Sequence, residues 1–62
     1  MGDGEKEVWS ILESSEKGAT ITDIVKKTSL SRGVVRIALA KLEGAGKILF
    51  REVGMAKLYF VY

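Results

Sequence analysis

The hydrophobic positions change period along the chain. Val8, Ile11, Leu12 and Ser15 recur at the i, i+3, i+4, i+7 spacing of one helical stripe. This predicts a first helix over 4–16. Asp3 stands where an N-cap is expected, and Glu5 and Glu7 fall in the first turn, where the helix dipole favours carboxylates. Lys17 then falls at the C-terminal end and Gly18 supplies a left-handed stop. Trp9 lies off the stripe, so it should cover an edge of the core.

Ile21, Ile24, Val25 and Thr28 form the next stripe, predicting a short helix over 20–28. Thr20 and Asp23 have the spacing of a capping box, with Asp in place of the usual Glu. The hydroxyls of Thr28 and Ser29 favour a turn after it. A third helix is predicted over 32–45, with Ser31 as N-cap and Val35, Ala38, Leu39 and Leu42 facing inward. Gly44-Ala45-Gly46 ends it.

Beyond Gly46 the period becomes two. Ile48, Phe50 and Val53 face one way, in alternation with Leu49, Arg51 and Glu52. Gly54-Met55 reads as a turn, and Ala56 to Tyr62 is rich in apolar and aromatic strand formers. These segments predict a hairpin over 47–62. A two-residue strand near Ala19-Thr20 could lie beside it.

Composition narrows the chemistry. The 62 residues include no Cys, His or Pro, and 47% are hydrophobic. Disulfides, a thiolate or imidazole zinc site, a Cys nucleophile and a His general base are thereby excluded. Gly44-Ala45-Gly46-Lys47 lacks the preceding strand and following Ser or Thr of a P-loop. No metal, cofactor, small-molecule ligand or enzymatic activity is expected. No stretch has the roughly 18 apolar residues of a membrane span, and no signal peptide is evident. The chain therefore reads as a single cytoplasmic domain over 1–62, with no membrane partner. Its abrupt end on Leu58 to Tyr62 is also compatible with a domain of something longer.

The net charge of +2 conceals an asymmetry. Residues 1–16 carry Asp3, Glu5, Glu7, Glu13 and Glu16 against Lys6, a net of −4. Residues 17–62 carry nine bases against Asp23, Glu43 and Glu52, a net of +6. Such a distribution suits a molecule that turns one face to a polyanion and another away from it.

The stretch from Thr20 to Ile48 resembles the winged helix-turn-helix superfamily. The shared pattern consists of Thr20, Asp23, Ile24 and Val25, then Leu30-Ser31, then Leu39, Leu42 and Glu43, then Gly46 and Ile48. The resemblance implies an α+β fold of order α-β-α-α-β-β, with three helices and a C-terminal hairpin wing. It also implies double-stranded DNA as the partner, with the third helix in the major groove. Similar domains occur in transcription regulators, recombination accessory proteins and ribosomal proteins.

Carried over residue by residue, the resemblance makes Ser31, Arg32, Gly33, Arg36, Ile37, Lys41, Arg51 and Lys57 the DNA-contacting candidates. Lys26, Lys27, Ser29 and Lys47 are further phosphate candidates. Guanidinium groups grip phosphates or pair with guanine edges, and lysines hold phosphates. The acidic first helix is expected on the far side from DNA. Location in a prokaryotic nucleoid would follow if the source is prokaryotic.

The centre of the outward face of helix 3 is, however, small and apolar: Gly33, Ile37, Ala40 and Gly44. Family members often have a polar or basic residue where this chain has Ile37. One reading is close approach to DNA, with Ile37 on a thymine methyl and bases on the flanks. The alternative is a protein-interaction face for a homodimer or another partner. A lesser alternative is RNA or ribosome association.

Overall fold

The computed structural model describes residues 2–62. Its elements are helices α1 (Asp3–Glu13), α2 (Ile21–Lys27) and α3 (Arg32–Gly44), then strands β1 (Ile48–Val53) and β2 (Ala56–Val61). This is a small α+β domain with three helices and a C-terminal antiparallel hairpin.

The first helix differs at both ends from the expectation. Gly2, not Asp3, is its N-cap, and Asp3 lies within the first turn. The helix stops at Glu13 rather than residue 16. Ser14 and Ser15 both donate their hydroxyls to the Ile11 carbonyl, at 3.0 and 2.7 Å. These local bonds compete with helix continuation. Lys17 therefore falls outside the helix. Gly18 does take a left-handed φ of +90°, but as part of the connection and not as the helix cap.

The caps of α2 and α3 follow the sequence. Thr20 Oγ1 accepts from the Asp23 N–H and the Asp23 carboxylate accepts from the Thr20 N–H, both at 3.2 Å. Ser31 Oγ accepts from the Val34 N–H at 3.2 Å. After α3, the Gly46 and Lys47 N–H groups donate to the carbonyls of Glu43 and Leu42. Gly46, with φ +74°, reverses the chain into β1.

Val53 and Ala56 are paired, so Gly54 and Met55 form a two-residue loop. Gly54 has φ +63° while Met55 does not have a positive φ, which is the requirement of a type II′ turn. The expected short strand near Ala19-Thr20 reduces to one isolated bridge, in which Ala19 and Tyr59 exchange N–H···O bonds of 2.8 and 2.9 Å. The sheet thus has two strands, and the element order is α-α-α-β-β.

The core draws on every element. Val8 and Leu12 of α1, Ile24 of α2, Val35, Ala38, Leu39 and Leu42 of α3, Ile48 of β1 and Tyr59 of β2 are buried together with Ala19. No polar or charged residue is buried among the described residues. Burial of seven large apolar side chains at about 1.5–3 kcal/mol each supplies the main drive to fold. Trp9 packs against the core edge, as expected, with the Lys47 ammonium 5.7 Å from its ring centre.

The hairpin register fixes which side chains share a face. Residues directly opposite one another point to the same side. Ile48, Phe50 and Glu52 therefore share a face with Val61, Tyr59 and Lys57, and this face meets the core. Leu49, Arg51 and Val53 share the outer face with Phe60, Leu58 and Ala56, so strict alternation gives Val53 and Glu52 the faces opposite to those expected.

Candidate nucleic-acid interface

All twelve candidate contact residues are exposed, but they do not form one basic surface. Their partners divide them into separate groups.

The first group lies on α3. Arg32, Gly33, Arg36, Ile37 and Ala40 are all exposed over two helical turns. A Cβ added at Gly33 or Gly44 meets nothing within 4 Å, and Ile37 is 59% exposed. Among the described residues no other element covers this ridge, although α1 and the hairpin border its flanks. Arg32 is held at its N-terminal end, where both terminal guanidinium nitrogens donate to Thr22 Oγ1 of α2, at 2.8 and 3.4 Å. Thr22 was not a sequence candidate. It occupies the exposed face of the preceding helix, and its relation to Arg32 depends on the helix–helix angle, which no local pattern encodes.

Arg36 faces the hairpin. A groove of about 370 Å³ is lined by Arg36, Ala40 and Glu43 of α3, Lys57 and Tyr59 of β2, and Ile21 of α2. Lys57 stands 4.5 Å from the Phe50 ring centre, and Phe50 packs on Tyr59 with ring centres 5.9 Å apart. The cation–π contact holds the ammonium on the α3 side of the hairpin. Arg36 and Lys57 thus border one groove, with Glu43 as the acid that shares it.

Lys41 is on the other flank. Its Nζ lies 3.7 Å from Glu5 Oε1 of α1. The N-terminal turn of α1 borders α3 here, in a small groove that includes Gly4, Glu5, Val34, Ile37 and Lys41. A Cβ added at Gly4 would lie 3.3 Å from Val34. The expectation that the acidic helix sits wholly on the far side is therefore corrected. Its N-terminal end borders the outward ridge, because α1 packs across α3 and the small residue Gly4 permits the approach. Lys41 is 63% exposed in its side chain, so this pair contributes at most about 1 kcal/mol. It nevertheless places a carboxylate beside the ridge.

Arg51 is separated from Lys57 by the hairpin itself. It lies opposite Leu58, on the outer face, while Lys57 lies opposite Glu52 on the inner one. Arg51 borders an open cavity of about 660 Å³ together with Glu13, Glu16 and Lys17 at the end of α1 and Leu58 and Phe60 of β2. Strand parity could have revealed this division. Once the loop is placed at Gly54-Met55, counting outward puts Arg51 and Lys57 on opposite faces.

The remaining bases are dispersed. Lys27 lines a groove between α1 and α2 with Lys6 and Glu7. Lys47 is engaged with Trp9, near α1. Lys26 is exposed at the end of α2, and Ser29 in the turn that follows. Ser31 Oγ already accepts a helix N–H, which leaves its own hydrogen free to donate to an anion. The Asp23 carboxyl is held below its ordinary value of 3.8, first by the hydrogen bond from the Thr20 backbone.

No protein-family model matches the chain, and no curated protein is significantly similar to it. Among the described residues no group of His, Cys, Asp and Glu could hold a metal ion, and no helix is long and apolar enough to cross a membrane.

Proposed function

We propose that the chain is a double-stranded DNA-binding module of the winged helix-turn-helix kind, serving transcription regulation or a chromatin or recombination accessory role in the cytoplasm or nucleoid. The observation that carries this reading is the uncovered ridge of α3, with two guanidinium groups beside small residues. Its 13 residues extend about 20 Å, and a helix of this diameter fits the roughly 12 Å major groove. Gly33 and Gly44 allow the helix backbone to approach closely.

In this reading Arg36 contacts a phosphate or guanine edge, and Ile37 meets a thymine methyl. Arg32, steadied by Thr22, and Ser31 address a phosphate at the helix N-terminus. Lys57 follows the backbone from the hairpin. Lys41 and Arg51 hold lesser parts, because Glu5 and the acids at the end of α1 lie near them. Few base-reading donors and several phosphate-gripping ones give binding of modest sequence preference.

Duplex binding measured across salt concentrations tests the reading. The logarithm of affinity should fall linearly with the logarithm of salt, and Arg36→Ala should reduce the slope by about one unit. Absence of binding to any duplex at low salt defeats the proposal. The exposure of Ile37 at 59% and Val34 at 42% supports a second reading, a protein partner on the same ridge. Under that reading Ile37→Glu abolishes an association that salt does not weaken.

A further inference from the structure

The hairpin leaves one strand edge without a backbone partner. Tyr59 exchanges both of its backbone bonds with Ala19, on the side away from β1. Its opposite residue Phe50 therefore cannot be bonded to it, and must turn its own N–H and C=O away from β2. By alternation Ile48 and Glu52 do the same. Tyr62 donating to the Lys47 carbonyl fits this phase. Among the described residues nothing pairs with the outward groups of Ile48, Phe50 and Glu52.

This edge carries none of the usual protection in its first half. It has no proline or bulge, and its charges, Arg51 and Glu52, come only in the second half. Leu49, Phe50 and Val53 are 42%, 36% and 54% exposed. The loop and C-terminus add Met55 and Tyr62, so five of the seven exposed large hydrophobic residues among the described residues belong to the hairpin segment.

We infer that β1 is a dimerisation edge, which takes the β1 of a second copy in antiparallel pairing to make a four-stranded sheet. Charge selects both the occupant and the register. With Phe50 opposite Phe50 of the second copy, Arg51 falls opposite Leu49 and Glu52 opposite Ile48. Exposed Leu49 then receives the aliphatic stem of Arg51, and no like charges meet. All three outward residues are paired, giving roughly six backbone hydrogen bonds. A two-residue slip of one copy places Arg51 opposite Arg51, and the reverse slip places it opposite Lys47. Like charges directly opposite one another are destabilising. The segment is thus complementary to itself in one register.

The two-fold axis is perpendicular to such a sheet, so both cores lie on the same side of it. No residue of α3 takes part in the strand pairing. The inference stands independently of DNA binding.

Single cysteines test both association and register, since the natural chain has none. Residues of a hydrogen-bonded antiparallel pair have Cα atoms about 5.5 Å apart, within disulfide range. Phe50→Cys should form a disulfide dimer under mild oxidation, at least about tenfold faster than Leu49→Cys, Arg51→Cys or the loop-tip control Met55→Cys. Sedimentation equilibrium of the unmodified chain should give twice the monomer mass at submillimolar concentration. Glu52→Pro removes an outward N–H that the β1–β2 ladder does not use, and should weaken the dimer about tenfold or more while leaving the circular dichroism unchanged. A natural chain that sediments as a monomer throughout overturns the inference. So does a dimer whose cross-linking is no faster at position 50 than at position 55, whatever becomes of the Phe50 variant's own stability.

Discussion

Replacing Gly18 by Ala should damage this domain far more than its place in a connection between helices suggests. Two costs add. Gly18 has φ +90°, where an L side chain is strained by about 1–2 kcal/mol. The added Cβ would also lie 2.6 Å from the Tyr59 carbonyl oxygen, 3.2 Å from Leu58 and 3.3 Å from Phe60. The nearest of these is backbone, and that oxygen accepts from the Ala19 N–H at 2.8 Å. Relief of the clash requires the Ala19–Tyr59 bridge to open, with the loss of two hydrogen bonds at about 1 kcal/mol each. The total is about 3–4 kcal/mol, against about 3–9 kcal/mol for a whole domain of this size. Thermal unfolding by circular dichroism should show Tm lower by roughly 12–30 °C. Gly46→Ala is the control. Its φ is also positive, at +74°, but its Cβ would enter open space, so only the conformational cost applies. If the two variants lose the same stability, to within about 0.5 kcal/mol, then no close approach exists at Gly18 and the reasoning is refuted.

Other outcomes follow from the polar contacts. Glu5→Gln should release Lys41 and remove a carboxylate beside α3, which raises duplex affinity at low salt. The gain should vanish at high salt, where such interactions are screened; an equal affinity at low salt would show that the ridge does not face the DNA. Asp23 has a lowered pKa, so its charged form is favoured by the fold. Its contribution is present above the ordinary carboxylate value and is lost as pH falls through its own. Asp23→Asn should therefore be less stable than the natural chain at neutral pH and equal to it in strong acid, as read from Tm against pH. A deficit unchanged across that range would assign the effect to shape and not to charge.

Local signals were the legible ones. The Thr20–Asp23 box and the Ser31 cap span four residues each, so the sequence contains the whole interaction. The α3 stripe was equally plain, because four of its residues enter one core. The end of α1 is not legible from the stripe, because Ser15 fits it by position while its hydroxyl, with that of Ser14, donates to the Ile11 carbonyl. At the candidate interface, residue type announced the bases but not their neighbours. Glu5 beside Lys41, Thr22 beside Arg32 and Lys47 over Trp9 all depend on how elements distant in sequence pack together. The bases of residues 17–62 thereby lie on several separate surfaces where the charge count suggested one.

The Ala19–Tyr59 bridge also has a kinetic consequence. It closes a loop that contains α2, α3 and β1, and a loop of about forty residues costs roughly 3 kcal/mol of chain entropy to close. The hairpin itself needs only its own short turn, and such hairpins form within microseconds. Seating of a formed hairpin against the connection after α1 is therefore expected late in folding, and substitutions at Ala19 and Tyr59 should give low φ-values if it is.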